Sequence, residues 1–234
     1  MRVGADGDAG ADTDTDSVTR ALEAFRAGDP VCVHDFADRV AHGHADQSTG
    51  VVAHVRDGRP VDGTGRIHDV RLALAVGDAF DLPFLADALD HPAVDDDPDY
   101  DDRSSFSLPV NHRETFTGIT DADRARTIVE LAGAAAAVDD DPAGYGPEDF
   151  AAEFRVPGHV HVLRGDHDGL AGRTGHTELG LAMAEAVGAA PAAVVCEMLD
   201  DETGAALTPA DAEAYARRRR IPYVEGAALV EALK

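Results

Sequence analysis

The chain has 234 residues, with 45 Asp+Glu against 20 Lys+Arg, a formal net charge of −25 and a pI near 4.5. Lys234 is the single lysine, and every other basic residue is arginine. That balance excludes a general binder of nucleic acid or of acidic membranes, because such partners attract a basic face.

Apolar residues make up 44%, too many for a disordered chain, and the length suits one domain with a sizeable core. No apolar run reaches the roughly 18 residues of a membrane span, and the acidic start is the opposite of a signal peptide. Cys32 and Cys196 give no disulfide framework and point to a reducing, cytoplasmic setting. A carboxylate-rich composition almost without lysine also points to a salt-rich cytoplasm, where ions screen the repulsion over short distances.

In chain order, residues 1–16 read as a mobile acidic tail. Ser17 then reads as an N-cap, with Val18, Leu22 and Phe25 on one helical face and Gly28 closing the helix. Asp29-Pro30 turns the chain into a short buried strand, Val31-Cys32-Val33. Residues 40–71 show neither helical nor strand period, and order returns at Leu72. Asp95 to Asp102 form an acidic loop, followed by an alternating strand over Ser105–Val110. Thr120 caps a helix running towards Ala137. Pro157 to Leu163 reads as a strand bearing His159 and His161, Thr177 to Val187 as a helix stopped by Gly188, and Ala193 to Met198 as a buried strand. Thr208-Pro209-Ala210-Asp211 opens another helix. Its last residues, Arg217 to Arg220, form a solvated end that complements the helix dipole. Strands and helices alternate without a βαβ metre, a G-x-G-x-x-G or a P-loop. The class expected is α+β, a single domain over 17–234 with a mixed sheet flanked by helices on both sides.

The densest polar constellation is Arg173-Thr174-Gly175-His176-Thr177-Glu178. A glycine, free backbone N–H groups, a hydroxyl and an arginine at a helix start make an anion cradle, and His176 is placed to bind a metal beside it. Glu197 ends an otherwise apolar strand, a costly position unless the carboxylate is paired or functional. With His159, these residues point to acid–base work on a phosphorylated substrate beside a metal.

These motifs, Pro157-Gly158-His159-Val160, then Arg173-x-Gly175-His176-Thr177-Glu178, then Cys196-Glu197, resemble 3,4-dihydroxy-2-butanone 4-phosphate synthase of riboflavin biosynthesis. Thr117-Gly118-Ile119-Thr120 with Asp123-Arg124, Asp81-Leu82-Pro83 and Asp35-x-x-Asp38-Arg39 also fit that family. The resemblance implies conversion of ribulose 5-phosphate to the four-carbon phosphate plus formate, with magnesium or manganese. It implies that His176 ligates the metal, that Arg39, Arg173, Thr174, Gly175, His176 and Thr177 hold substrate, and that His159 and Glu197 are the acid–base pair. A homodimer with shared sites is implied too.

One block departs from the family. After Asp-Arg the resemblance calls for Glu-Gly-Glu-Thr-Asp, whose first Glu is a metal-side ligand, yet Asp38-Arg39 is followed by Val40, Ala41, His42, Gly43 and His44. Valine cannot ligate a hard, oxygen-seeking ion. Read backwards through complementary codons, Val76 down to Gly65 permits Asp-Arg-Glu-Gly-Glu-Thr-Asp and continues to Pro and Ala. Gly50 down to Ala45 permits Ala-Gly-Gly-Leu-Val-Cys. The mirrored reading returns the Glu to position 40, the Asp to 44 and a family cysteine to 69. The mirrored match points to codons 38 to 76 being inverted relative to an active gene, with a sequence error or ordinary divergence as the alternatives, and the chain as written is expected to be impaired. The rival readings are an inactive homologue that binds a sugar phosphate or a protein, and a metal-binding protein built on His42, His44, His54 and His68.

Overall fold

A computed structural model describes residues 9–35, 49–54, 70–74, 105–141, 143–200, 203 and 206–234. The first part of the chain gives helix α1 (Ala9–Ala27) and strands β1 (Val31–His34), β2 (Thr49–His54), β3 (Val70–Leu74), β4 (Ser105–Phe106) and β5 (Val110–His112). Helices α2 (Asp121–Asp140) and α3 (Pro147–Glu153) precede the long strand β6 (Phe154–Arg164). A 3₁₀ turn (Gly169–Ala171), α4 (His176–Ala186), β7 (Ala192–Glu197), α5 (Pro209–Arg219), β8 (Tyr223–Glu225) and α6 (Gly226–Leu233) complete it.

The strands form one sheet in the order β4-β6-β3-β7-β2-β1-β8, with β5 pairing β6 off that path. β1 with β8 and β3 with β6 run parallel, and the other pairs are antiparallel. Strand β7 shows why both faces need helices. Successive side chains of a strand point to opposite faces. Ala192 and Val194 enter one core with Ile128, Leu131 and Ala135 of α2, while Ala193 and Val195 enter a second with Phe25, Leu179, Met183 and Leu229 of α1, α4 and α6. The expected α+β fold with helices on both sides of a mixed sheet is the one observed.

Several local readings hold for the stated reason. The Thr120 hydroxyl accepts from the Asp123 N–H at 3.1 Å and starts α2. Thr208 does the same for Asp211 at the start of α5, with Pro209 in the first turn. Arg217 to Arg220 are exposed at the end of α5, where Arg217 pairs with Glu213 at 2.7 Å. Arg220 ends the helix in the left-handed region at φ 59°.

Others are corrected. The helix expected from Ser17 begins at Ala9, so Ser17 is interior rather than an N-cap. Its hydroxyl donates to the Asp14 carbonyl at 2.7 Å, and Thr19 donates to Thr15 O at 2.9 Å. Such back-bonding is tolerated in a helix interior, although it weakens the helix slightly. The stretch 40–71 holds β2 and the first residues of β3, which the absence of a period concealed. The single strand expected over Ser105–Val110 is two, β4 and β5, joined by a segment in which Ser107 N donates to Val162 O at 2.9 Å. The acidic loop at 95–102, Arg39 and most of the departing block lie outside the described residues.

Two substitutions test this frame. Thr120→Ala removes a cap and costs about 1 kcal/mol in a denaturant titration. Gly158→Ala costs about 1–3 kcal/mol by overpacking, because a Cβ there would lie 2.0 Å from the Val110 carbonyl carbon and 2.2 Å from Asn111 N.

Candidate active site

The start of α4 meets the ends of β1 and β7. Gly175 is extended (φ −76°, ψ 174°) and supplies no side-chain cap, so the first-turn N–H groups of His176, Thr177 and Glu178 lack intrahelical acceptors. The intrahelical ladder begins with Leu179 N donating to Gly175 O at 3.0 Å. This is the anion-binding end of a helix.

His176 is buried and its Nε2–H donates to the Val33 carbonyl at 3.0 Å. A carbonyl only accepts, so the bare nitrogen of the neutral ring is Nδ1. That atom lies 3.6 Å from Asp35 Oδ2 and 3.7 Å from Glu197 Oε1. Register explains the convergence: Val33 pairs with Gly50, and Gly50 pairs with Glu197, in one row across β1, β2 and β7. The imidazole spans that row from carbonyl to carboxylate, and the middle residue is one with no side chain to obstruct it.

Three electron-rich groups facing one another need a proton or a cation between them. His176 therefore suits a divalent cation as one imidazole donor with carboxylates beside it. Among the described residues, however, no group of three or more His, Cys, Asp or Glu is arranged to hold a metal by itself.

Arg173 is held on the same loop. Its Nη2 donates to Glu178 Oε1 at 2.6 Å, and that oxygen also accepts from Asp166 N at 3.0 Å. The Glu178 side chain is fully buried, and its Oε2 has no hydrogen-bond partner among the described residues. A buried carboxylate locked to one guanidinium fixes the direction of Arg173.

His159 is exposed on β6. His161, Arg71 and Val195 form one row across β6, β3 and β7, and His159 and Glu197 each stand two residues further towards the same end. Two strand spacings, roughly 10 Å, separate those backbone positions. Asn111 accepts from His159 N through Oδ1 at 2.9 Å and donates through Nδ2 to His159 Nδ1 at 3.1 Å.

The Thr117-Gly118 loop beside Asn111 is fastened by Asp123. One carboxylate oxygen accepts from Thr117 N at 3.1 Å, Thr117 Oγ1 at 3.1 Å and Gly118 N at 2.9 Å. Desolvation pushes the Asp123 carboxyl upward, but hydrogen bonds from the Gly118, Thr117 and Phe116 N–H groups and the Thr117 hydroxyl outweigh it and hold it below its ordinary 3.8. Next to Glu197, Cys196 is partly buried, whereas burial pushes the Cys32 thiol up to about 12.

A sequence profile of 3,4-dihydroxy-2-butanone 4-phosphate synthase matches residues 19–232. The chain belongs to that family. A synthase of this name from Archaeoglobus fulgidus is 43% identical over 224 residues, covering 90% of this chain and 91% of the relative. One from Methanothermobacter thermautotrophicus is 36% identical over 231 residues, covering 92% and 94%. Among solved structures, the Candida albicans synthase superposes with a TM-score of 0.67 at 25% identity, over 93% of this chain and 97% of that one. A synthase solved in complex with two magnesium ions shares the fold, with a TM-score of 0.66 at 22% identity over 92% and 95%. Proteins of this family are enzymes of the lyase class.

The residues singled out in the sequence are thus distributed. Arg173, Thr174, Gly175, His176 and Thr177 occupy one helix start, Glu197 reaches His176, and His159 lies along the same sheet edge. Asn111 was not singled out. Its signal is a polar side chain, 4% exposed, in the wholly buried triplet Val110-Asn111-His112.

The Asp123 network predicts a pH signature. A carboxyl depressed in the folded state stabilises the fold above its unfolded pKa, and that contribution disappears as pH falls through the folded value. Asp123→Asn should remove this part of the acid-side decline in melting temperature, while a slope identical to that of the unsubstituted protein contradicts the assignment.

Proposed function

We propose that the chain is built for the reaction of its family, conversion of D-ribulose 5-phosphate to 3,4-dihydroxy-2-butanone 4-phosphate and formate in riboflavin biosynthesis. The observation that carries this reading is the meeting of His176 Nδ1 with the Asp35 and Glu197 carboxylates at a helix start that is free to bind an anion. The N–H groups of the first turn of α4, with Arg173, Thr174, Gly175 and Thr177, receive the phosphate. His176 would hold a divalent cation, magnesium or manganese, through Nδ1. When bound, that cation stabilises the oxyanion that develops beside the substrate ketone. Glu197 and His159 move the protons. Arg39 joins the substrate-binding set.

The relative crystallised with two magnesium ions supports the choice of metal. The reaction is cytoplasmic, in a saline cytosol that suits the charge of −25. No helix of the described residues is long and apolar enough to cross a membrane, and the acidic balance disfavours nucleic acid. The partner is a second copy of the chain. Phe116 and Ile119, 94% and 60% exposed on the loop beside Gly118, supply apolar surface for it to cover.

The chain as written is impaired, because Val40 stands where the family's carboxylate ligand belongs. His176 then holds the cation without its main partner. The same observation favours the second reading, a catalytically inactive homologue that binds a sugar phosphate or a protein.

Formate release from ribulose 5-phosphate with magnesium decides between them. The chain as written should turn over roughly 10- to 100-fold more slowly than a version in which codons 38 to 76 are re-inverted, as expected when a metal site loses its support. A normal rate from the chain as written overturns the impairment, and no formate from either version overturns the reaction.

A further inference from the structure

We propose that Asn111 is a positioning residue that keeps the proton of neutral His159 on Nε2, so that this ring presents an N–H hydrogen-bond donor to the substrate. The tautomer follows from hydrogen-bond chemistry alone; the role as donor rests on the proposed reaction.

The backbone N–H of His159 can only donate, so the Asn111 atom 2.9 Å from it is the amide oxygen. That fixes which way the amide faces. Nδ2, the remaining end, lies 3.1 Å from His159 Nδ1, and an amide NH₂ only donates. Nδ1 is therefore the acceptor, and the single proton of the neutral ring sits on Nε2, the atom turned away from Asn111. A carboxylate at the same place would do the reverse and draw the proton to Nδ1.

The amide has little freedom to turn. Asn111 is 4% exposed. Gly118, at φ 78°, passes so close that a Cβ would lie 2.1 Å from Asn111 Nδ2. Gly158, immediately before His159, lies against the Asn111 backbone, where a Cβ would lie 2.2 Å from its nitrogen. Two close backbone approaches that only glycine allows thus pin one asparagine from both sides. The Gly118 approach is held in turn by the Asp123 carboxylate, which accepts from Gly118 N. The chain Asp123–Gly118–Asn111–His159 links a helix start to the exposed ring.

Long-range proton–nitrogen correlation spectra of the full, nitrogen-labelled chain read this directly, with His159→Gln identifying the resonances of that ring. With His159 neutral, Nε2 should appear protonated and Nδ1 bare. Asn111→Asp should transfer the proton to Nδ1, a complete exchange of the two patterns. A protonated Nδ1 with a bare Nε2 in the unsubstituted chain overturns the proposal, as does a pattern unmoved by Asn111→Asp in a folded protein. Should that variant fail to fold, the spectrum of the unsubstituted chain carries the test by itself. The spectra are read without turnover, so failure of the formate assay and failure of this inference are separate results.

Discussion

The hydrogen bond from His176 Nε2–H to the Val33 carbonyl organises the site. It ties the first residue of α4 to the end of β1 and leaves Nδ1 bare, facing two carboxylates. The sheet order makes this possible, since β1 and β7 flank β2 and bring Val33 and Glu197 into one row. An imidazole placed this way has its tautomer chosen by the fold, as metal-ligating histidines commonly do.

In the proposed reaction the same helix start serves two charges of opposite sign. Its N–H groups and Arg173 favour an anion, while His176 with Asp35 and Glu197 favours a cation. Fully buried and bound to Arg173 and Asp166 N, Glu178 holds the guanidinium in place. A substrate carrying both a phosphate and an oxygen that becomes anionic suits such a divided site. The net charge of −25 does not specify this local chemistry.

Much of this was legible in the sequence where local chemistry decides the outcome. Thr120 and Thr208-Pro209 mark helix starts because a hydroxyl satisfies an N–H that the helix cannot, and the apolar run Ala193–Val195 marks a buried strand. The motif from Arg173 to Glu178 marks the start of α4. Tertiary context decided the rest. β2 is a short run containing Gly50, and it becomes a strand by lying between β1 and β7. Asn111 gains its meaning only when β5 pairs with β6 and brings it to His159, 48 residues away in sequence. The early start of α1 puts Ser17 inside the helix, its hydroxyl on the Asp14 carbonyl, where a capping rule expects an N-cap.

The central claim is that His176 offers Nδ1 to a divalent cation beside Glu197. Manganese, a paramagnetic substitute for magnesium, tests it through pulsed electron resonance on the full chain at saturating metal. Nitrogen coupling from one imidazole, lost in His176→Gln, is the expected result. Bound manganese without nitrogen coupling, or coupling that survives that substitution, would contradict it.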